Sequence, residues 1–297
     1  MTPSNKKPSI SIILPARNEA ESLANLLPQL KKLSLDAEII VVNDGSEDDT
    51  QAICKQHQVR ILNHPYSMGN GAAIKKGARA ATGDILVFLD ADGQHNPSDI
   101  PKLLDKLAEG FDMVVGARQP KGHASFARRI TNKLYNRIAS FMTGFKIVDL
   151  TSGFRAVKAK KFRRFLYLLP NGFSYPTTIT MAFFRSGYSI AYEPIVVQQR
   201  KGMSKIKLFQ DGLRFFIIIL KVGALFSPMR LFLPVSFALF AIGMLYYFYT
   251  YIFYNRFTNM SALLFISSLF TFLIGIISEQ ISSIHYKNTS EDYHGEN

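Results

Sequence analysis

The sequence predicts an α/β domain with a largely parallel sheet, followed by two helices long enough to cross a membrane. Three observations predict it. From Ser9 onward, short β-rich runs alternate with polar stretches of helical period; the β-rich runs end in polar residues; and the region from Leu231 to Ser278 carries one charge, Arg256. Strand–helix alternation is the mark of α/β layers with parallel strands. A long charge-free run is the mark of a lipid-facing helix.

In chain order, the strands are "SISIILPA", "AEIIVVND", "VRILNH", "DILVFLDAD" and "DMVVGAR". The helices between them are expected over Glu19 to Leu33, Asp48 to His57, Gly71 to Ala81 and Pro97 to Glu109. Ligands of such sheets bind beyond the carboxyl ends of the strands. The polar residues there are therefore the candidates for chemistry: "ARNEAES" after strand one, Asn43 and Asp44 after strand two, Asp90 and Asp92 after strand four, and Arg118 after strand five.

Past the α/β region, Leu231–Asn255 and Phe257–Ser278 are each long enough, at about 1.5 Å per residue, to span roughly 30 Å of hydrocarbon. Tyr246, Tyr247, Tyr249, Tyr251 and Tyr254 gather at one end of the first span, as interfacial anchors do. Lys201, Lys205, Lys207, Arg214, Lys221 and Arg230 precede it, so the positive-inside rule puts the α/β domain and the C-terminus in the cytoplasm. "KIKLFQDGLRFFIIILKVGALF", Lys205 to Phe226, reads as a helix lying in the membrane interface. The tail "NTSEDYHGEN" reads as disordered. The expected organisation is residues 1–203 as the α/β domain, 204–229 as the juxtamembrane helix, 230–286 as the membrane hairpin and 287–297 as the tail.

A net charge of +13 calls for an anionic partner. Nucleic acid is disfavoured, because many basic residues cluster beside the spans and not on an aromatic-interleaved face. The single cysteine, Cys54, excludes an intrachain disulfide. No signal peptide is expected: the start is polar and its apolar run is short. The absence of a Gly-x-Gly-x-x-Gly after strand one argues against a dinucleotide-binding dehydrogenase. "GNGAAIKKG", Gly69 to Gly77, suggests phosphate cradling but has no Gly-Lys-Ser/Thr, and a loop before a helix explains it equally well.

Asp90-Ala91-Asp92 raises the sharpest question, since two carboxylates so close repel. A hard divalent cation resolves this: Mg²⁺ or Mn²⁺ takes oxygen ligands and shares its shell with substrate phosphates. Asp149 is a candidate base or a turn-forming residue. His95 is expected to face solvent or the donor, and Gln119 to Ala127 is a candidate lid.

Taken in order, "SIILPARNEAESL", "IIVVNDGSEDDT", "ILVFLDADGQHNP", "MVVGAR" and "DLTSGFRA" resemble family 2 glycosyltransferases over residues 9 to about 205. With "RKGMSK" and two C-terminal spans, the chain is similar to the polyprenyl-phosphate glycosyltransferase branch, which includes dolichol-phosphate mannose synthases and bacterial undecaprenyl-phosphate transferases. The resemblance implies a GT-A (Rossmann-like) fold and a metal-dependent, inverting transferase, bound to the membrane and serving the cell envelope. It implies a UDP- or GDP-sugar donor, Mg²⁺ or Mn²⁺ as cofactor, and a polyprenyl (undecaprenyl or dolichyl) phosphate acceptor at the cytoplasmic face of a bacterial inner membrane. Homo-oligomerisation is compatible with it.

Carried onto this chain, the resemblance gives donor binding to Pro15, Asn18, Glu19, Asp44, Ser46, Asp90 and Ala91, and metal binding to Asp90, Asp92 and Gln94. It gives the diphosphate Arg118 and Arg128, and the acceptor phosphate Arg200, Ser204 and Lys205. Two departures stand out. Asn43 replaces the first aspartate of the usual Asp-Asp-Gly-Ser, which bears on base preference. "NGFSYPTTIT" lacks the acidic residues that follow Gly-Phe in mannose synthases, which argues against mannose. A processive synthase would carry Gln-x-x-Arg-Trp, and the chain has no tryptophan. A nucleotidyltransferase would need a Gly-rich loop where "ARNEAES" stands. The remaining alternatives are transfer to another lipid or glycan, and an inactive membrane-tethered nucleotide-sugar binder.

Overall fold

The computed structural model describes residues 7–33, 35–119, 126–172, 174–197, 220 and 223–291, with only the backbone of 126–132 and 285–291. The chain forms two compact units: residues 1–136 with 147–208, and residues 137–146 with 209–297.

The first unit is built on a seven-stranded sheet: β1 (Ile10–Ala16), β2 (Ala37–Asn43), β3 (Arg60–Asn63), β4 (Ile85–Phe88), β5 (Met113–Arg118), β6 (Arg155–Lys158) and β7 (Ile190–Ile195), in the order β3-β2-β1-β4-β6-β5-β7. The five expected strands are all present, yet the sheet is mixed. β6 runs antiparallel between β4 and β5, placing Arg155 beside Phe88 on one neighbour and Val115 on the other. The other pairings are parallel. β6 is four residues long and contains Arg and Lys, so its own pattern did not announce a central strand.

Helices α1 (Ala20–Lys32), α2 (Thr50–Gln56), α3 (Asn70–Ala80) and α4 (Ile100–Ala108) fall where the period predicted them, the last preceded by a 3-10 turn at Pro97–Asp99. Beyond them come α5 (Phe126–Thr143), α6 (Ala159–Arg163) and α7 (Tyr175–Arg185). Strand alternation decides the two faces. Ile12, Leu14 and Ala16 of β1 share one cluster with Leu23, Leu27 and Leu30 of α1 and Ile100, Leu103 and Leu107 of α4. Ile13 turns to α3, where Gly77 permits contact: a Cβ there would lie 2.4 Å from Ile13 Cγ2.

At the end of the sheet away from the functional edge, Glu38 ties three segments together. It accepts from Ser11 Oγ at 2.7 Å and from Thr82 N and Oγ1 at 3.0 Å each, and it pairs with Arg60. Burial pushes its pKa up, but the Thr82, Ser11 and Arg60 donors outweigh this and hold it at about 2. A carboxylate whose folded pKa is depressed contributes stability above its unfolded pKa and loses it as pH falls through the folded value. Thermal unfolding followed from pH 6 to pH 2 should therefore show a stability loss beginning near pH 4.5 that is shallower in Glu38→Gln. An identical acid limb in that variant would refute this assignment.

The second unit contains α8 (Pro228–Tyr254) and α9 (Asn259–Glu291). Both are long and apolar enough to cross a membrane: α8 has 27 residues and α9 has 26 from Asn259 to Ile284, and an 18-residue stretch of each reaches a mean hydropathy of 2.0 and 2.3 respectively. Their large apolar side chains face outward, with Phe237 71% and Leu245 72% exposed. That is the surface a hydrocarbon solvent requires. Inward, Ser236 and Ser268 exchange hydroxyl-to-carbonyl hydrogen bonds of 2.9 Å. Gly243 lets α9 approach closely, since a Cβ there would lie 3.1 Å from Leu264 Cβ. Small and hydroxyl residues at helix contacts are how membrane helices associate. The expected helix at Lys205 to Phe226 lies almost wholly outside the described residues, as do residues 120–125 of the candidate lid and 292–297 of the expected tail; residues 287–291 of that tail instead continue α9 as helix.

Candidate active site

The carboxyl ends of β1, β2, β4 and β5 meet along one edge of the sheet, as parallel register requires. After β1 the chain turns at Asn18, whose φ of 54° is left-handed, a conformation asparagine tolerates well. Asn18 N–H donates to Ser46 Oγ at 3.0 Å, and Asn18 Oδ1 accepts from Glu47 N at 2.9 Å. The Asp48 carboxylate accepts from Ala20 N at 2.9 Å and from Thr50 N at 3.1 Å. The loops after β1 and β2 are thus stitched together, which brings the expected donor residues Asn18, Glu19 and Ser46 to one place.

Asp44 is 4% exposed, and both its oxygens are engaged within the protein. Oδ1 meets His64 Nδ1 at 2.7 Å and Met68 N at 2.8 Å; Oδ2 accepts from Ser67 Oγ and Gly69 N, both at 2.9 Å. Burial presses its pKa upward, but His64 and the two amides prevail and hold it below the usual carboxylate range. Asp44 therefore shapes the loop before α3, and any contact with a nucleoside would come in addition to that work. Asn43 is likewise scaffold. Its Oδ1 accepts from Ser46 N at 2.9 Å and its Nδ2 donates to Asn63 Oδ1 at 3.0 Å.

The Gly69–Gly77 segment is not built as a phosphate cradle. Gly71 N and Ala72 N at the start of α3 donate to the carbonyls of Gly172 and Asn171, both at 3.1 Å. Lys75 Nζ is held by Leu169 O at 3.0 Å and by Asn171 Oδ1 at 2.6 Å. The loop reading is favoured, because the Gly71 and Ala72 amides and the Lys75 ammonium are engaged within the protein.

β4 ends at Phe88, and the acidic turn follows. Asp92 Oδ1 accepts from Gln94 N at 3.1 Å, with Gly93 supplying the positive φ of 71° that the turn needs. Ala91 is buried beneath it. Gly153 lies against Asp90: a Cβ there would come within 2.8 Å of Asp90 Oδ2. A cleft of about 830 Å³ opens between the start of α1 and this turn, lined by Asn18, Glu19, Asn25, Asp92, His95 and Asn96. Its volume is that of a small-molecule site.

His95 was expected at the surface or on the donor. It does not face solvent: it is 7% exposed and lies against Phe154, ring centroids 5.1 Å apart, while it lines the cleft where the alternative, a donor contact, would be made. Burial pushes its pKa down to about 4, so it is neutral at physiological pH. Its Nδ1 meets no partner among the described residues. A hydrophobic seat was available because Phe154, distant in sequence, rides on the loop into β6.

Arg118 and Asp149 form a two-pronged ion pair, Nε to Oδ2 at 2.7 Å and Nη2 to Oδ1 at 2.8 Å; Arg118 Nη2 also donates to Thr151 Oγ1 at 2.5 Å. Burial pushes the Asp149 pKa up, but the Arg118 guanidinium and nearby amides carry it below the usual carboxylate range. With both oxygens engaged by Arg118 and the pKa moved down, Asp149 is poorly placed to accept a proton, which favours the structural reading over the base. Arg118 also lies within the field of Asp90. Part of the answer to the carboxylate repulsion is therefore this cation, held in place by Asp149. Sequence reading missed the pairing, and it missed Arg155 beneath the site. Arg128 lies on α5 with its side chain outside the description, and Arg200, Ser204 and Lys205 fall outside the described residues.

Asp90, Asp92 and Gln94 bring side-chain oxygens as metal ligands, and Gly153 puts no Cβ of its own against the Asp90 carboxylate. No group of three or more His, Cys, Asp or Glu residues among the described ones forms a self-sufficient metal cage. Such a donor set fits a hard cation that completes its shell with substrate phosphate and water, and Mg²⁺ behaves in this way.

The model of Glycosyl transferase family 2 matches residues 11–166, more than half of the chain and nearly all of the sheet. The chain belongs to glycosyltransferase family 2. A second model, the GtrB C-terminal hairpin, matches residues 227–284 of this glycosyltransferase, the α8–α9 pair. It is similar to an undecaprenyl-phosphate 4-deoxy-4-formamido-L-arabinose transferase of Pseudomonas fluorescens, 30% identical over 80% of this chain and 71% of the relative. It is also similar to a dolichyl-phosphate hexose transferase of Haloferax volcanii, 28% identical over 72% of this chain and 93% of the relative. Among solved structures, glucosyl-3-phosphoglycerate synthase from Mycobacterium tuberculosis, in complex with Mn²⁺, UDP and glucosyl-3-phosphoglycerate, superimposes with a TM-score of 0.60. At 22% identity over 73% of this chain and 80% of that one, the likeness establishes a shared GT-A fold. The family 2 domain, the matched hairpin and its apolar helices together make this a membrane-associated glycosyltransferase.

Proposed function

We propose that this glycosyltransferase moves a sugar from a UDP- or GDP-sugar to a polyprenyl phosphate at the cytoplasmic face of the membrane, with inversion at the sugar carbon. The observation that carries the reading is the Asp90–Asp92 turn at the sheet edge, in a chain that also carries the α8–α9 hairpin. The polyprenyl-phosphate transferases among its relatives support the acceptor class.

In this reading Asn18, Glu19 and Ser46 flank the nucleoside half of the donor, and Asp90, Asp92 and Gln94 face its diphosphate. A bound Mg²⁺ or Mn²⁺ supplies Lewis-acid neutralisation of the leaving diphosphate. Arg118, oriented by Asp149 and Thr151, adds positive charge on the same side, and Nη1 meets no acceptor among the described residues. The acceptor phosphate, with a second pKa near 6 by analogy with phosphorylated side chains, is mostly a dianion at neutral pH and attacks without a strong base. The low pKa of Asp149 agrees with a mechanism that needs no protein base.

The test is release of nucleoside diphosphate from UDP- and GDP-sugars by the purified full chain, with and without Mn²⁺ and undecaprenyl phosphate. Release that requires both is the expected result. Release with another lipid or glycan but not with the polyprenyl phosphate would assign a different acceptor, and donor binding without turnover would leave a sugar-nucleotide binder. Arg200→Ala should raise the acceptor KM or abolish transfer while leaving donor affinity intact; unchanged turnover of lipid phosphate would remove Arg200 from the acceptor site.

A further inference from the structure

Arg155 is the largest fully buried side chain among the described residues, 0% exposed, at the centre of the sheet between β4 and β5. Burying a guanidinium costs several kcal/mol unless its charge and donors are compensated. Among the described residues no carboxylate pairs with it. Nη2 donates to Ser152 O; Nη1 reaches Pro176 O at 3.4 Å, Thr180 Oγ1 at 3.3 Å and Met113 Sδ at 3.7 Å; Nε meets no partner among the described residues. The guanidinium also lies 5.7 Å from the centre of the Tyr175 ring. Such incomplete satisfaction is a poor bargain for stability alone, so the surroundings of Arg155 carry the explanation.

Three consecutive carbonyls just before β6 are each held. Arg155 takes Ser152 O, Tyr175 Oη donates to Gly153 O at 3.1 Å, and Gly116 N donates to Phe154 O at 2.9 Å. Between the first and third sits Gly153, the residue whose Cα adjoins the Asp90 carboxylate. Tyr175 is itself packed against Phe88, two residues before Asp90, with ring centroids 6.4 Å apart. The field of Asp90 and Asp149 is among the influences that sustain the charge of Arg155 against its burial.

We propose that Arg155 is a positioning residue for Asp90: with Tyr175 it fixes the Ser152–Gly153 backbone as the wall against which the Asp90 carboxylate is set for metal and diphosphate. This rests on the proposed function and deepens it by assigning the support of its metal-facing acid. Residues that orient metal ligands from behind typically alter metal affinity about 10- to 100-fold when replaced.

The experiment measures Mn²⁺ affinity in the presence of UDP or GDP by electron paramagnetic resonance, on full-length wild type, Arg155→Met, Arg155→Lys and Tyr175→Phe, with thermal unfolding alongside. Methionine removes the charge while filling apolar space, a replacement buried ions often tolerate. We expect Arg155→Met to stay folded and to lose about tenfold or more in Mn²⁺ affinity. Lysine, which keeps the charge but not the planar fork, should restore part of it, and Tyr175→Phe should show a smaller loss. Wild-type or tighter Mn²⁺ affinity in Arg155→Met overturns the proposal, whatever its melting temperature. If that variant does not fold, Tyr175→Phe decides, and unchanged affinity there overturns it. A wild type that takes up no Mn²⁺ with either nucleotide would overturn the proposed function itself, and this support role with it.

Discussion

Asp90→Asn is expected to lower kcat/KM for sugar transfer on the order of a thousandfold while leaving the fold intact. Asparagine keeps the size and one oxygen but removes the charge that, in the proposed mechanism, faces cation and diphosphate. Lewis-acid stabilisation of a leaving phosphate is worth several kcal/mol, and about 4 kcal/mol corresponds to three decades of rate. The stability effect should be small, because Asp90 is only partly buried and lies beyond the end of β4. Steady-state kinetics with saturating lipid phosphate, paired with a melting curve, separates the two. A variant within tenfold of wild type would remove Asp90 from the reaction centre.

Gly153→Ala should also damage activity, about tenfold less than Asp90→Asn, by a purely steric route. The new methyl would stand 2.8 Å from Asp90 Oδ2 and 3.3 Å from Oδ1, closer than carbon and oxygen pack. The carboxylate is the end of a side chain and can swing away, so the fold should lose little. What moves is Asp90, the acid that the proposed mechanism sets toward metal and diphosphate. Displacing a reacting group by about 1 Å can cost about a hundredfold. We expect kcat/KM to fall by about that factor, with a melting temperature close to wild type. A large drop in melting temperature with proportionate loss of activity would mean that Gly153 serves packing alone.

These two residues also show what could be read in the chain before it was folded. Asp90 announces itself, because an apolar run that stops in Asp-Ala-Asp is a local pattern. Gly153 does not, because its importance comes from a carboxylate more than sixty positions away. The Arg118–Asp149 pair repeats the lesson. Each residue was singled out, one as a phosphate ligand and the other as a rival base, but their two short hydrogen bonds make them one unit and lower the basicity of the acid. The solvent-facing alternative for His95 failed for a similar reason: a turn histidine is ordinarily wet, and here Phe154 covers it.

What the sequence by itself determined is the part governed by local periodicity and composition. That covers five strands and four helices of the sheet domain, the polar edge where the strands end, and two apolar helices in a chain of net charge +13. Each follows from where neighbouring side chains put their apolar surface, which is visible within a window of a few turns. Only the tertiary structure decided that β6 enters antiparallel at the centre of the sheet, that both oxygens of Asp44 are engaged by His64 and the loop before α3, and that Arg155 lies fully buried in the strand beside the Asp90 turn. Those outcomes depend on which distant groups become neighbours once water is expelled, and that expulsion gives a hydrogen bond or an unpaired charge its weight.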